Sequence, residues 1–241
     1  MRRLLIQILT FVFLLPITSL FAQPCKLSKQ ELQFQSQLQH NYELAVEIQD
    51  SSFLLHTLLQ LYQLCPTDTI NSALLLSAYY NSGIFNSCFL LAKKLTNQST
   101  SDLSQLRFLA LSAEKTERYT DAMNAYEKLY YLSGNSMFLY DISSLQYKLG
   151  RYAEANTSLI KLLKDPGVKY FNMMVNSEDG VIQTIDLFCV ALNLRGLVLV
   201  ELGDKQNALK SFNDAIALSP DFHLALMNKK SFLDKFMNGV E

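Results

Sequence analysis

The sequence predicts an all-α protein: a stack of helix-turn-helix units, closed by a C-terminal helix and interrupted by one small β-hairpin. Three observations carry that expectation. Apolar residues recur at helical spacing along most of the 241 residues. The stretch 189–220, CVALNLRGLVLVELGDKQNALKSFNDAIALSP, reads as two helices around a tight turn at Gly203-Asp204, with Gly196 and Ala208 where the helices must nearly touch. Weaker copies of that stretch recur upstream at a nearly fixed period.

The first 22 residues are of another kind. Arg2 and Arg3 precede the apolar run LLIQILTFVFLL, and Ala22 stands at a plausible cleavage point, the layout of a secretory signal peptide. The apolar run after Gln7 is short for the ~30 Å hydrocarbon core of a bilayer, which favours a cleaved signal over a retained anchor. Pro24, directly before Cys25, argues against a lipoprotein. The domain reading is a signal peptide over 1–22 and a helical repeat domain over 23–241, with a hairpin insertion at 168–186 and a capping helix at 221–237. Losing Arg2 and Arg3 leaves 19 basic against 22 acidic residues, a net charge near −3. There is no basic stripe, which argues against nucleic acid or an anionic membrane surface as the main partner.

Helices are expected over 27–49 and 52–64, divided by the capping residues Asp50-Ser51 and ended by Pro66. The next pair covers 71–80 and 86–96, around Asn81-Ser82-Gly83. After a polar connector, in which Ser101 or Asp102 can cap, helices follow over 103–116 and 119–132, then 137–149 and 152–164. Asp165-Pro166-Gly167 is a strong turn. Beyond it, VKYFNMMV, the turn NSEDG and the alternating VIQTI read as a hairpin with Asp179-Gly180 at its tip. A two-stranded hairpin is marginal alone, so it should lean on the helices. Asp221 can cap a last helix carrying Phe222, Leu224, Leu226, Phe232, Leu233 and Phe236.

The period can be set by repeats beginning at Gln35, Thr69, Leu103, Ser136 and Cys189, with steps of 34, 34, 33 and 53 residues. In that frame the twentieth position holds Leu54, Cys88, Ala122, Ala155 and Ala208. The twenty-fourth holds Leu58, Ala92, Tyr126, Leu159 and Phe212. The fifteenth, at the turn, holds Gln49, Gly83, Glu117, Gly150 and Gly203. LNLRGLVLVELGDKQNALKSFNDAIALSP, LQYKLGRYAEANTSLIKLL and TERYTDAMNAYEKLYYLSG resemble the tetratricopeptide repeat (TPR). The resemblance covers roughly residues 35–220 outside the insertion, although the family's Trp at the fourth position is missing throughout. It implies a right-handed α-solenoid of about five TPR-like repeats. A lone helical pair cannot bury its apolar face, whereas stacked pairs can.

The four cysteines fit no zinc spacing. Cys88 and Cys189 lie on apolar helical faces and read as buried thiols. Cys25 and Cys65 flank an antiparallel helix pair, and in an oxidising compartment they can form a disulfide, although the longer first helix works against it. His40, His56 and His223 show no metal-binding spacing, and GxSxG, GxxxxGK[ST] and GxGxxG are absent. Tyr79-Tyr80 and Tyr130-Tyr131 read as packing between repeats. Catalytic, metal and cofactor sites are therefore expected to be absent.

The resemblance places the binding surface on the concave groove lined by the first helix of each pair. Tyr80, Arg107, Tyr140, Tyr147, Lys148 and Asn193 are the candidate contacts; Tyr and Arg are enriched at binding hot spots. The repeated Lys, Asn and Arg set with which chaperone-binding members hold a terminal carboxylate is not reproduced. The expected function is that of an exported scaffold or adaptor, in the periplasm or else secreted or membrane-associated, binding a protein or peptide rather than nucleic acid or a small-molecule substrate. Three alternatives stand beside it: a membrane-tethered assembly factor that keeps residues 1–22, an enzyme whose site gathers Glu178, Asp179 and His223, and a homo-oligomer formed through the N-terminal repeat.

Overall fold

The computed structural model describes residues 25–98 and 102–237; the expected signal peptide, 1–22, lies outside them. Two bodies make up the chain, Met1–Ser82 and Gly83–Glu241. In the first, α1 (Lys29–Glu47) packs on α2 (Ser51–Leu64), and α2 on α3 (Thr69–Asn81). Side-chain caps start all three. Ser28 and Glu31 form a reciprocal capping box on α1, and Asp50 and Asp68 each accept two backbone N–H groups at the starts of α2 and α3. Leu38, Ala45, Leu58, Leu61, Leu75 and Leu76 are buried. Cys25 is bonded to Cys65 in a disulfide, with Cα atoms 5.9 Å apart. Residues 25–28 are non-helical and tightened by a bond from the Leu27 N–H to the Cys25 carbonyl (2.9 Å), and they absorb the length difference between the two helices.

The second body begins with α4 (Phe85–Gln98), α5 (Leu103–Lys115), α6 (Tyr119–Ser133), α7 (Met137–Lys148) and α8 (Tyr152–Leu163). A 3-10 turn (Pro166–Tyr170), β1 (Asn172–Asn176) and β2 (Ile182–Asp186) follow, and α9 (Leu187–Glu201), α10 (Lys205–Leu218) and α11 (His223–Met237) end it. Within this body each helix packs on the next, α8 on α9 included, although the insertion lies between them. The helical pairs therefore stack without a break across the one long connection. A large core cluster runs from Phe89 through Leu106, Tyr126, Leu145 and Leu159 to Leu194 and Val198.

The repeat frame is written into the backbone. The five turn positions, Gln49, Gly83, Glu117, Gly150 and Gly203, all have positive φ, between 57° and 77°. In four of the turns the next N–H reaches back to the carbonyl five residues earlier: Asp50 to Ala45, Arg118 to Ala113, Arg151 to Gln146 and Asp204 to Leu199. This is the pattern of a helix closed by a left-handed residue. Glycine adopts that conformation without strain, whereas Glu117, at φ 59°, does so against its Cβ. Glu117→Gly is expected to raise the stability of the second body by about 0.5–1 kcal/mol, the relieved strain exceeding the added freedom of the unfolded chain. Urea unfolding measures it, with Gly150→Ala as the control that should shift the opposite way.

Small residues let the helices of a pair approach. Ala122, Ala155 and Ala208 are fully buried, as are Ala110 and Ser143 at the eighth position of their repeats. Gly196 takes that position in the last repeat. A Cβ there would lie 2.6 Å from Cδ1 and 2.7 Å from Cζ of Phe212, so α9 must leave this space to the ring.

The insertion is an antiparallel hairpin in which Asn172 pairs with Asp186 and Asn176 with Ile182. Its inner residues Met173, Val175 and Ile185 pack against Val190, Ala215 and Phe222, so the hairpin is held by the helices. The stretch 168–170 is not strand, as the sequence reading had it. Pro166 fixes one dihedral, the Gly167 N–H donates to the Asp165 side chain (2.8 Å), and a 3-10 turn results that buries Val168. Tyr130 packs against the core as expected, but Tyr131 is 86% exposed and packs no repeat.

Candidate functional site

The second body carries five of the six candidate groove residues, and Tyr80 lies half-buried near the end of α3 in the first. Arg107 on α5 and Tyr140, Tyr147 and Lys148 on α7 come together with two acids, Glu114 of α5 and Asp141 of α7. Lys148 Nζ is 2.7 Å from Glu114 Oε1, an ion pair that ties the first helix of one repeat to the first helix of the next. Lys148 also stands over the ring of Tyr119, 5.7 Å from its centroid. The hydroxyl of Tyr126 reaches Glu114 Oε2 at 3.5 Å, a long contact. Tyr147 is half-buried with its ring tilted against Tyr152, centroids 5.6 Å apart.

The electrostatics of this face are uneven. Burial, then the charge of Glu114, pushes the Asp141 carboxyl up to about 7, against the opposing pull of Arg107 and Lys148. Burial, with Asp141 and Glu114 beside it, also holds the Tyr140 phenol above its ordinary range, so it stays a neutral donor. The Tyr147 phenol is raised by burial and by Glu201. The face therefore offers aromatic rings, an exposed guanidinium, an ion pair at its rim and one strained acid. That mixture suits non-covalent recognition.

Asn193 is not available to a partner. It is 3% exposed, and its Oδ1 accepts a bond from Asn228 Nδ2 of α11 at 3.0 Å. The capping helix covers the groove positions of the last repeat: Val190 packs with Phe222 and Ala225, and Leu197 and Val200 pack with Phe232. The family pattern assigns Asn193 to the groove, but the capping helix covers it.

Asp141 is not among the candidate contacts read from the sequence, although it directly follows Tyr140. The signal was present: Asp141 lies four residues after Met137, three before Ser144 and seven before Lys148, on their stripe of the helix.

The residues of the enzyme alternative converge only in part. His223 Nε2 lies 2.6 Å from Asp179 Oδ2, while Glu178 is exposed and takes no part. Ser177 donates to Asp179 and to the Val181 carbonyl. The carboxylate thus sits between the hydroxyl and the imidazole. A nucleophilic serine needs the imidazole in the middle as its base, so this is not such a triad. The group works with Gln183, whose Nε2 donates to the Asp221 carbonyl (2.6 Å) and whose Oε1 accepts the His223 N–H (2.8 Å). The first N–H of α11 is thus served by Gln183, and Asp221, the expected cap, contributes its carbonyl. Together these bonds clasp the hairpin to the capping helix.

Burial pushes the Cys88 thiol up to about 11 and raises Cys189, which leaves both unreactive. His40 and His56 are exposed on separate helices, and no group of three metal-ligating side chains occurs among the described residues. No helix among them is long and apolar enough to cross a membrane.

Comparison with known proteins matches these features. Residues 190–222 fit the model of the tetratricopeptide repeat. No curated protein matches the chain by sequence. Among solved structures, the MamA protein is 14% identical, with a TM-score of 0.61 over 86% of this chain and 96% of its own. A tetratricopeptide repeat protein from Parabacteroides merdae is 16% identical, with a TM-score of 0.64 over 83% of this chain and 73% of its own. YrrB, described as a TPR protein with an unusual peptide-binding site, is 15% identical, with a TM-score of 0.62 over 84% of this chain and 91% of its own. At such identities the likeness is one of fold. Residues 190–222 thus carry a tetratricopeptide repeat in sequence, and most of the chain shares the fold of solved tetratricopeptide repeat proteins.

Proposed function

We propose that the protein is a non-catalytic scaffold that binds an extended polypeptide segment on the face formed by α5 and α7. One observation carries this reading. Arg107, Tyr140, Tyr147 and Lys148 stand together on the first helices of successive repeats, half-buried or exposed, where a stack of this kind presents its surface. Rings with few rotatable bonds and a guanidinium give contact area at low entropic cost. The peptide-binding site named for YrrB supports the same use of the fold.

Joint Arg107→Glu and Tyr147→Ala changes are expected to reduce recovery of a crosslinked partner from the native host at least tenfold. Circular dichroism should stay unchanged, because neither side chain is fully buried. Undiminished recovery would remove the assignment of the face.

The Cys25–Cys65 disulfide supports export to an oxidising compartment, which we read as the periplasm. N-terminal sequencing of the mature protein tests that and the tethered alternative together: a start at Gln23 fits a cleaved signal, and a retained Met1 fits the tether. A second reading concerns the first body, where Leu32, Phe34 and Ile48 of the first helical pair are 53%, 43% and 56% exposed. Self-association through this end is the reading they favour, and sedimentation of a Phe34→Glu variant against the parent tests it.

A further inference from the structure

We propose that the free edge of β1 pairs with the same edge of a second copy of this chain, joining two hairpins into one four-stranded antiparallel sheet across a two-fold axis. The pairing does not depend on the face of α5 and α7. The bonds that close the hairpin show which backbone groups it leaves over. The Leu187 N–H donates to the Phe171 carbonyl (2.8 Å), and the Ser177 N–H donates to the Val181 carbonyl (3.0 Å). Asn172 stands opposite Asp186 and Asn176 opposite Ile182, so the hydrogen-bonded pairs of this ladder fall on Met173 and Val175. Asn172, Met174 and Asn176 therefore point their N–H and C=O groups away from β2, and no backbone group among the described residues bonds to them. All three are exposed.

Proteins blunt such an edge with a charge, a proline or a bulge. β1 has none of these. Residues 170–177, YFNMMVNS, carry no charge and no proline, and the register runs without a bulge. The hairpin instead exposes Tyr170, Phe171, Met174 and Ile182, at 87%, 40%, 74% and 64%. Its inner residues Met173, Val175 and Ile185 are packed on the helices, so the edge is presented already ordered and pairing need not order it.

The order of the side chains selects the occupant. The outward positions read Asn, Met, Asn, the same in both directions. Antiparallel pairing centred on Met174 sets Met174 against its own counterpart and Asn172 against the second copy's Asn176. These are the residues whose backbone groups are free, so each pair exchanges two N–H···O bonds. Amide faces amide, thioether faces thioether, and no like charges meet. The edge of β2 lacks this symmetry. Centred on Thr184, it would set apolar Ile182 against Asp186, whose carboxylate already accepts the Phe188 N–H at 2.7 Å. Gln183 of β2 is also tied to Asp221 and His223 at the start of α11. The edge of β1 thus matches itself, and its occupant is a second copy.

The test uses the full chain. Sedimentation equilibrium should show a reversible dimer. Met174→Lys places like charges opposite each other at the two-fold axis and should weaken that dimer about tenfold. The melting temperature of the monomer should not change, because Met174 is 74% exposed. Under mild oxidation Met174→Cys should form a covalent dimer much faster than Thr184→Cys, since Cα atoms across a hydrogen-bonded pair lie about 5.5 Å apart, within reach of a disulfide. The native cysteines do not compete, being bonded or buried. Amide exchange at Asn172, Met174 and Asn176 should slow as the protein concentration rises, while exchange at Thr184 stays constant. A dimer that survives Met174→Lys but is lost in Phe34→Glu overturns the pairing and leaves association through the first body standing. Equal oxidation of the two Cys variants also overturns it. So does a chain that stays monomeric and whose β1 amides slow only when host extract is added, which would give the edge to another protein.

Discussion

Phe212→Ala is expected to destabilise the C-terminal end of the second body by about 3–5 kcal/mol, the range for emptying a fully buried aromatic site. The ring is fully buried, lies 6.1 Å from Phe232 of the capping helix between centroids, and fills the space that Gly196 leaves on α9. The loss should be local, because each helical pair of a stack is held mainly by its neighbours. Amide exchange should quicken across α9–α11 while α5 and α6 keep their protection. A second substitution gives the sharper result. Gly196→Val should destabilise the parent, since even its Cβ has no room, but should recover stability in the Phe212→Ala background by refilling the void. The same sign in both backgrounds would disprove the close approach.

Replacing Cys25 and Cys65 together by Ala is expected to cost the first body about 2–4 kcal/mol. The bond spans 40 residues, and closing a loop of that length restricts the unfolded chain by about 4 kcal/mol in the chain-entropy account. The first body is small, with three described helices and few fully buried side chains, so such a loss is a large share of its stability. Reductant should lower the melting temperature of the parent and leave that of the double variant unchanged. Cys88 and Cys189 give no confusion, because both are buried and label only on unfolding. A parent indifferent to reductant would show that the staple contributes nothing.

Most of the helices and their turns were legible in the sequence, because period and capping are local properties. Asp50, Asp68 and Asp102 each cap a helix with their own side chain, and glycines mark three of the five turns. Gln49 and Glu117 were placed at the turn by register alone, and their left-handed backbone is visible only in the structure. The 3-10 turn over 166–170 was read as strand because the apolar run VKYF carries no periodicity of its own, while Pro166 and Asp165 acted locally. The site was half legible. A family pattern finds the face, but it cannot say that the capping helix covers Asn193 or that burial leaves Asp141 without a partner. Those facts depend on elements 35 residues or more apart in the chain, or on a balance of burial against charge.

The left-handed turns have one more consequence. Between the first repeat and the last, nearly every side chain of the helical pair has changed, yet the same index along each unit bends the backbone the same way. Handedness at one residue acts as a hinge pin that sets how the second helix of a pair leaves the first. The other positions are then free to vary in size, provided each pair of facing residues varies together, as Gly196 and Phe212 have done. A chain built this way can exchange the chemistry of one face, repeat by repeat, without renegotiating the geometry of the stack.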